Sequence, residues 1–112
     1  MDDLTKKHCV PCEGGMPPLP PEGVASYMKF APGWTSPDNK KITREFKFKD
    51  FKEAMAFINK VAAIAEGEGH HPDIYIFYNV VRLDLSTHAV GGLSENDFIL
   101  AAKVNELLQG GA

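Results

Sequence analysis

Histidine and carboxylate side chains that could move a proton are concentrated in one short part of the chain. Gly69-His70-His71-Pro72 is followed by Thr87-His88 and then by Asp97, so three of the four histidines lie in this stretch. An imidazole, with an unperturbed pKa of about 6.5, can both accept and donate a proton near neutral pH. Three histidines near a carboxylate therefore indicate either a proton-transfer site or a metal site.

Three interpretations compete for this histidine cluster. Acid–base chemistry requires only that one or two imidazoles reach the same substrate atoms, with a carboxylate to orient them. Metal chelation is disfavoured because Pro72 biases His71 toward an extended conformation, in which the side chains of adjacent residues diverge. In the third interpretation the histidines only end a helix and a strand, and Asp97 only stabilises the start of a helix capped by Ser94. The spacing favours acid–base chemistry.

The composition is that of one globular domain. The chain has 112 residues, of which 44% are hydrophobic and 24% charged, and its net charge is −3. This balance gives no support for direct nucleic-acid binding, which requires a basic face. No apolar run approaches the roughly 20 residues that span a bilayer, and the first residues lack the apolar segment of a signal peptide. We therefore expect a soluble, cytoplasmic protein without a membrane partner.

The N-terminal part differs in composition from the rest of the chain. Five of the eight prolines lie within residues 1–22, so residues 1–19 are expected to be an extended, mobile leader before a single domain of residues 20–112. Cys9 and Cys12, with His8, could be half a zinc site or a redox dithiol. Zinc normally takes four ligands, and a redox pair is expected near a βαβ unit. Neither context is present, so we interpret the thiols as reduced and of minor structural importance.

The remaining sequence predicts the order helix, strand, strand, long helix, strand, strand, helix. Period-2 alternation in residues 40–49 and 80–87 predicts half-buried strands, and another strand is predicted to begin at Trp34. Over residues 51–65 apolar side chains recur at helical spacing behind the capping residue Asp50. Because sequential strands tend to pair, we expect an α+β fold: a four-stranded antiparallel sheet with about three helices packed on one face.

Four motifs occur in a specific order: Glu66-x-x-x-His70-His71-Pro72, Tyr78-Asn79-x-Val81, Leu85-Ser86-Thr87-His88 and Gly92-Leu93-Ser94-x-x-Asp97. In this order they resemble the motifs of the pterin-4a-carbinolamine dehydratases, and the resemblance covers about residues 20–108. It implies the same four-stranded sheet with helices on one face. It also implies a homodimer or homotetramer, in which dimers extend the sheet and tetramers bring the long helices together.

The reaction implied by this resemblance is the dehydration of 4a-hydroxytetrahydropterin to quinonoid dihydropterin, a step of tetrahydrobiopterin recycling. The C4a hydroxyl gains a proton and leaves as water while N5 loses a proton, and neither a metal nor a cofactor is required. By motif position, the implied catalytic residues are His70, His88 and Asp97. The implied substrate-binding residues are His71, Glu66, Pro72 and Thr87.

Two features qualify the resemblance. Ile74 stands where members of the family often have an aromatic residue, so substrate affinity could differ although the proton chemistry should survive. Relatives of the coactivator or assembly-factor type indicate an alternative role as a protein-binding module, with a second protein partner. Because every motif histidine is present, a purely non-catalytic role is disfavoured.

Overall fold

The computed structural model describes residues 4–10 and 17–110, which form three α-helices and a three-stranded antiparallel sheet. The helices are α1 (Pro21–Met28), α2 (Phe51–Glu68) and α3 (Glu95–Gly110), and the strands are β1 (Ile42–Lys47), β2 (Asp73–Phe77) and β3 (Val80–Leu85). Short 3-10 turns span Leu4–Lys6 and His88–Val90. The predicted α+β class is confirmed. No helix in the described ranges is both long and apolar enough to cross a membrane.

Strand β3 lies at the centre of the sheet, between β1 and β2. The predicted alternation along it is confirmed, because Val81, Leu83 and Leu85 are at most 1% exposed and belong to the same core cluster as the buried helix residues. The opposite face of β3 carries Asp84, which Thr43 binds through its hydroxyl at 2.6 Å. Burial of Asp84 acts to raise its pKa, but hydrogen bonds from Thr43 and Arg82 hold that pKa below its usual value.

The strand predicted to begin at Trp34 is not formed, so the described sheet has three strands and not four. Thr35 makes an isolated bridge to Thr43, each N–H donating to the other residue's carbonyl at 3.0 and 2.9 Å. The next paired positions in an antiparallel ladder lie two residues away on either side. Pro37 has no N–H to donate, and Gly33 has a φ of +88°, outside the extended region. The bridge therefore cannot lengthen into a strand.

Both ends of α2 are set by identifiable residues. The Asp50 side chain accepts a hydrogen bond from the Glu53 backbone N–H at 2.9 Å, which confirms the predicted cap. At the other end Gly69 adopts a left-handed conformation with a φ of +66°. Helices commonly end on such a residue, and glycine adopts this conformation without steric cost. The direction in which the chain leaves α2, and hence the start of the His70-His71 segment, depends on this glycine.

The buried face of α2 agrees in part with the predicted apolar stripe: Ala54, Val61 and Ala65 are buried as predicted, whereas Phe51 is not. Its buried side chains are Ala54, Phe57, Val61 and Ala65. Phe51, predicted to lie in the buried stripe, is 50% exposed. Phe57 packs against the aromatic rings of β1 and its end, with ring centroids 4.8 Å from Phe46 and 5.0 Å from Phe48. The helix is therefore rotated so that this aromatic cluster, and not Phe51, faces the sheet.

The first described residues pack against the domain. Leu4 is 3% exposed and belongs to the hydrophobic core, and the turn that contains it lies against α3. The sequence predicts an extended leader over residues 1–19, whereas the described portion includes this packed turn. Cys12 lies outside the described residues, so the interpretation of Cys9 and Cys12 as reduced thiols of minor structural importance stays a prediction.

Candidate active site

The two central residues of the site come from opposite ends of the two long helices. His70 follows Gly69 at the end of α2, and Asp97 lies in the first turn of α3. The His70 Nε2 and Asp97 Oδ1 atoms are 2.6 Å apart. The His70 side chain is 12% exposed, and that of Asp97 is completely buried. The pair therefore has one member at the protein surface and the other behind it.

A hydrogen-bond network fixes the orientation of the Asp97 carboxylate. Its Oδ2 accepts from the Ser94 backbone N–H at 3.0 Å and from the Thr87 hydroxyl at 2.8 Å. The Thr87 and Ser94 hydroxyl oxygens are 2.8 Å apart, so Ser94 donates to Thr87 while Thr87 donates to Asp97. Helix α3 starts at Glu95, which confirms Ser94 at the predicted capping position.

The network also determines which nitrogen of His70 is available for chemistry. An ionised carboxylate only accepts hydrogen bonds, so His70 must donate to Asp97 through Nε2. In neutral His70 the proton then lies on Nε2, and Nδ1 is an acceptor. This arrangement, in which a buried carboxylate holds one tautomer of an imidazole, suits a general base.

His71 points away from this network toward solvent. Its Nε2 lies 2.6 Å from Glu66 Oε1, and the two side chains are 59% and 79% exposed. An ion pair this exposed contributes little to stability. The predicted divergence of the two adjacent histidines is confirmed, with His70 directed inward and His71 at the rim.

A cleft of about 430 Å³ lies in front of His70. Four predicted site residues line it: His70, His71, Thr87 and His88. His88 is exposed and opens the 3-10 turn that follows β3, and this turn ends at Gly91 with a φ of +72°. The volume is within the range of small-molecule sites. The cleft thus offers room for a ligand beside all three motif histidines.

The remaining predicted site residues do not line the cleft as the described residues define it. Asp97 lies behind His70, Glu66 reaches the site only through His71, and Pro72 is absent from the lining. Ile74 is on β2, 39% exposed, and does not line the cleft either. Its departure from the family pattern therefore does not alter the cleft wall within this chain.

Several cleft residues were not anticipated from the sequence. They are Cys9, Val10, Glu68, Gly69, Ser86, Ala89 and Asn96. Glu68 and Asn96 stand close in sequence to His70 and Asp97, but nothing in the local pattern distinguishes them from ordinary surface residues of a helix. Cys9 and Val10 reach the cleft from a distant part of the chain, for which no local signal exists.

Glu68 is the most constrained of these additional residues. Its side chain is 10% exposed and accepts the Cys9 backbone N–H at 2.8 Å, and Lys103 Nζ lies 3.3 Å away. Burial acts to raise the pKa of Glu68, but hydrogen bonds from the Cys9 amide, His8 and Lys103 outweigh it and lower that pKa. Glu68 therefore serves as a charged anchor beside the cleft.

The described residues do not bring together three histidine, cysteine or acidic side chains in a geometry that could hold a metal ion. The polar side chains that line the cleft are imidazoles, two hydroxyls, an amide, a thiol and the Glu68 carboxylate. Such groups can exchange protons and form hydrogen bonds with an organic ligand.

The sequence matches the model of the family described as "Pterin 4 alpha carbinolamine dehydratase" over residues 17–107. The chain belongs to the pterin-4a-carbinolamine dehydratase family. It is 50% identical over 109 residues to a protein of Nitrosospira multiformis that is provisionally named pterin-4-alpha-carbinolamine dehydratase, with 97% of this chain and 96% of that protein covered. A protein of Rubrobacter xylanophilus with the same provisional name is 42% identical, and 96% of this chain and all of that protein are covered.

Two solved structures have the same fold as this chain. A Brucella melitensis protein described as a transcriptional coactivator/pterin dehydratase is 36% identical, with a TM-score of 0.75 over 80% of this chain and 97% of that one. A pterin dehydratase-like protein described as a RuBisCO assembly factor of the alpha-carboxysome is 24% identical, with a TM-score of 0.58 over 70% of this chain and 92% of that one. The second likeness concerns the fold alone.

Proposed function

We propose that the protein dehydrates 4a-hydroxytetrahydropterin to quinonoid dihydropterin by histidine acid–base catalysis, in the recycling of tetrahydrobiopterin. The observation that carries this proposal is the His70–Asp97 pair. A buried carboxylate holds an imidazole 2.6 Å away at the wall of a cleft that also contains His71 and His88. Membership of the dehydratase family gives the substrate class.

The proposed chemistry moves one proton on and one proton off the pterin. Protonated His88 donates to the C4a hydroxyl, the C4a–O bond breaks, and the hydroxyl leaves as water. His70 accepts the N5 proton through Nδ1, which is the acceptor nitrogen when Nε2–H donates to Asp97. The electron pair of N5 forms the new double bond to C4a, so no oxidant or reductant is consumed. Asp97 has no surface in the cleft and acts as a positioning residue.

The residues at the rim are proposed to bind the pterin. His71 can form a hydrogen bond to the ring system, with its orientation set by Glu66. Thr87 is 6% exposed, and its hydroxyl already donates to Asp97. It therefore orients the carboxylate and also forms part of the cleft wall. Pro72 supports the site indirectly by restricting the backbone of His71.

A direct assay tests this proposal. Formation of quinonoid dihydropterin from the 4a-carbinolamine is followed by stopped-flow absorbance, without added metal and with a chelator present. The purified protein is expected to accelerate dehydration, and His70→Ala/His88→Ala is expected to lose about 10²- to 10⁴-fold in kcat. Lys29→Ala, an exposed position on the far end of α1, is the control that keeps full activity. No acceleration by the wild-type protein would refute the function, and a normal rate in the double variant would refute the assigned roles.

A homodimer or homotetramer is a further part of the proposed function. Strand β2 pairs with β3 on one side, and its other side is an edge within the described sheet. Large side chains of this strand and its turn are exposed by 36–67%: Ile74, Tyr75, Ile76, Phe77 and Tyr78. An apolar edge strand is a template for pairing with another strand. A second copy of this chain is the proposed occupant, since the resemblance implies dimers that extend the sheet.

A second protein partner is the alternative occupant of this edge. The Brucella melitensis relative is described as both a transcriptional coactivator and a pterin dehydratase, and a dual role is the corresponding proposal here. The mass of the purified protein decides between them. A monomer with full dehydratase activity would leave the edge of β2 uncovered and would favour the dual role. A stable homo-oligomer would cover that edge with a second copy of the chain, and no other protein would be needed.

A further inference from the structure

Residues 7–10 form a segment, which we term the strap, that contacts both the end of α2 and the start of α3. Glu68 is its first anchor. Glu68 Oε1 accepts the Cys9 backbone N–H at 2.8 Å, and Glu68 Oε2 lies 3.0 Å from His8 Nδ1. Two hydrogen-bonded contacts to one partly buried carboxylate fix the middle of the strap beside the end of α2.

Asn96 is the second anchor of the strap. Its amide nitrogen donates to the Val10 carbonyl at 2.6 Å, and its amide oxygen accepts the Val10 backbone N–H at 3.1 Å. Asn96 is 5% exposed, and its carbonyl accepts the Cys9 thiol at 3.6 Å. One side chain thus binds a residue of the strap in the way that a neighbouring strand would. This arrangement satisfies the backbone of Val10 and directs the strap along α3.

The beginning of the strap is held by two additional contacts. Leu4, just before it, is buried in the core, and Lys7 Nζ lies 2.9 Å from Glu95 Oε2. The same Glu95 oxygen accepts the Tyr27 hydroxyl at 2.9 Å. The strap is therefore attached along its whole length, and its position relative to the cleft is defined.

The two anchors lie close in sequence to the His70–Asp97 pair. Glu68 precedes His70 by two residues and Asn96 directly precedes Asp97, so the strap lies at the same two helix ends. Cys9 and Val10 line the cleft together with His70, His71 and His88. Val10 is 63% exposed although it is apolar. When a ligand covers an exposed apolar side chain that lines a cleft, removal of that apolar surface from water favours binding.

We propose that the strap is the apolar wall of the substrate site, with Cys9 and Val10 contacting the bound pterin and setting its affinity. This inference rests on the proposed dehydratase function. In the cleft the strap offers an isopropyl group and a thiol, whereas the histidines offer imidazoles, so a face of the pterin ring that forms no hydrogen bonds lies against the strap. The family model begins at residue 17 and so does not include these positions.

Substitutions in the strap test its contribution to affinity. Val10→Ala shortens the exposed side chain, and Asn96→Asp replaces the donor to the Val10 carbonyl by a carboxylate oxygen that repels it. Each is expected to raise KM, and the Kd for biopterin measured by quenching of pterin fluorescence, by about 5- to 20-fold, with kcat within about twofold of wild type. Lys6→Ala, an exposed neighbour that does not line the cleft, is the control without effect. Unchanged KM and Kd in both Val10→Ala and Asn96→Asp would overturn the proposal.

A second measurement uses Cys9 as a reporter that does not depend on turnover. In a Cys12→Ser background, alkylation of Cys9 by iodoacetamide is timed with and without saturating biopterin. Contact between the pterin and the strap is expected to slow alkylation at least tenfold. Biopterin that binds normally and leaves the alkylation rate unchanged would overturn the strap proposal and leave the dehydratase function standing. A wild-type protein that neither binds biopterin nor accelerates dehydration would overturn both.

Discussion

At the scale of single residues, Asp97 connects the start of α3 to the histidine that faces the cleft. One carboxylate oxygen accepts a hydrogen bond from His70, and the other accepts hydrogen bonds from the Ser94 backbone N–H and the Thr87 hydroxyl. Stability of the helix start and orientation of the imidazole therefore depend on one buried side chain. The two contributions can be separated by comparison with a second buried carboxylate.

Asp97→Asn is expected to reduce kcat about 10²- to 10³-fold while KM changes little. The Thr87 hydroxyl and the Ser94 N–H both need an acceptor, so the amide oxygen stays on their side and the amide nitrogen faces His70. That nitrogen cannot accept a hydrogen bond from His70, so the Nε2–H tautomer is no longer favoured over the other. A lost acceptor in a buried position also lowers the free energy of unfolding by about 1–3 kcal/mol. Steady-state kinetics over a range of pH, together with urea unfolding, measure both effects.

Asp84→Asn is the matched control for this substitution. Asp84 is 5% exposed and accepts hydrogen bonds from Thr43 and Arg82 on the other face of the sheet. A similar loss of stability with unchanged kcat and unchanged pH profile is expected. Equal losses of kcat in the two variants would contradict the positioning role of Asp97, since a general effect of stability would then explain both.

At the scale of elements, the segment before β1 depends on a close approach between Gly33 and Arg44. The Arg44 Nη1 donates to Asn105 Oδ1 at 2.7 Å and to the Pro32 carbonyl at 3.1 Å. Arg44 also stacks on Phe46, with its guanidinium carbon 4.8 Å from the ring centroid. Burial lowers the pKa of the Arg44 guanidinium. This arginine, which the alternation places on an apolar face of β1, thus joins β1 to α3.

Gly33→Ala is expected to lower the free energy of unfolding by about 1–3 kcal/mol. Its φ is +88°, and an added Cβ would lie 2.6 Å from the Arg44 guanidinium carbon, which must move and weaken its bonds to Asn105 and Pro32. Gly67→Ala is the comparison of opposite sign. It lies within α2 with no atom within 4 Å of an added Cβ, so a gain of about 0.5–1 kcal/mol is expected. Urea unfolding at one fixed protein concentration measures both changes, and destabilisation of the same size in both variants would contradict the explanation.

The elements also indicate how far sequence patterns reach. The cap of α2 and the alternation of β3 were predictable because each depends on residues a few positions apart. The strand expected at Trp34 failed because Pro37 and Gly33 stop a ladder that Thr35 begins. The buried face of α2 was predicted only in part: Ala54, Val61 and Ala65 are buried as expected, but periodicity alone does not decide whether Phe51 or Phe57 meets the sheet.

Sequence motifs indicated candidate residues for the cleft but gave little of their geometry. Motif order identified His70, His71, Thr87 and His88, which all line the cleft. That His70 turns inward while His71 turns outward depends on the left-handed Gly69 and on Asp97, a partner 27 positions away. The strap was missed because its anchors are separated from it by 59 and 86 positions, a distance over which no local pattern operates.

At the scale of the whole molecule, the exposed edge of β2 governs the expected assembly. The other outer strand, β1, carries the Thr35–Thr43 bridge on its free side, so β2 offers the longer unpaired edge in the part of the chain that the structure describes. Long apolar edges are seldom left uncovered in a stable protein.

Ile76→Lys is expected to convert the oligomer to a smaller species. A charged side chain on the apolar edge strand disfavours pairing with a second copy. Multi-angle light scattering should give a multiple of the 12.3 kDa chain mass for the wild-type protein and a lower multiple for this variant. Glu45→Lys, an exposed change on β1, is the control that keeps the wild-type mass. Monomeric wild-type protein, or an unchanged mass for Ile76→Lys, would contradict the proposed interface.

Because the strap is attached at Glu68 and Asn96 beside the cleft, docking of the strap and binding of a ligand are two linked equilibria. If a docked strap tightens binding of a ligand by some factor, the same ligand must tighten docking of the strap by that same factor. A protease that cuts between Lys6 and Lys7, or after Lys7, when the strap lifts would therefore report ligand affinity without any turnover. The rate of proteolysis near the start of the chain would then measure how much of the histidine cleft is occupied by ligand.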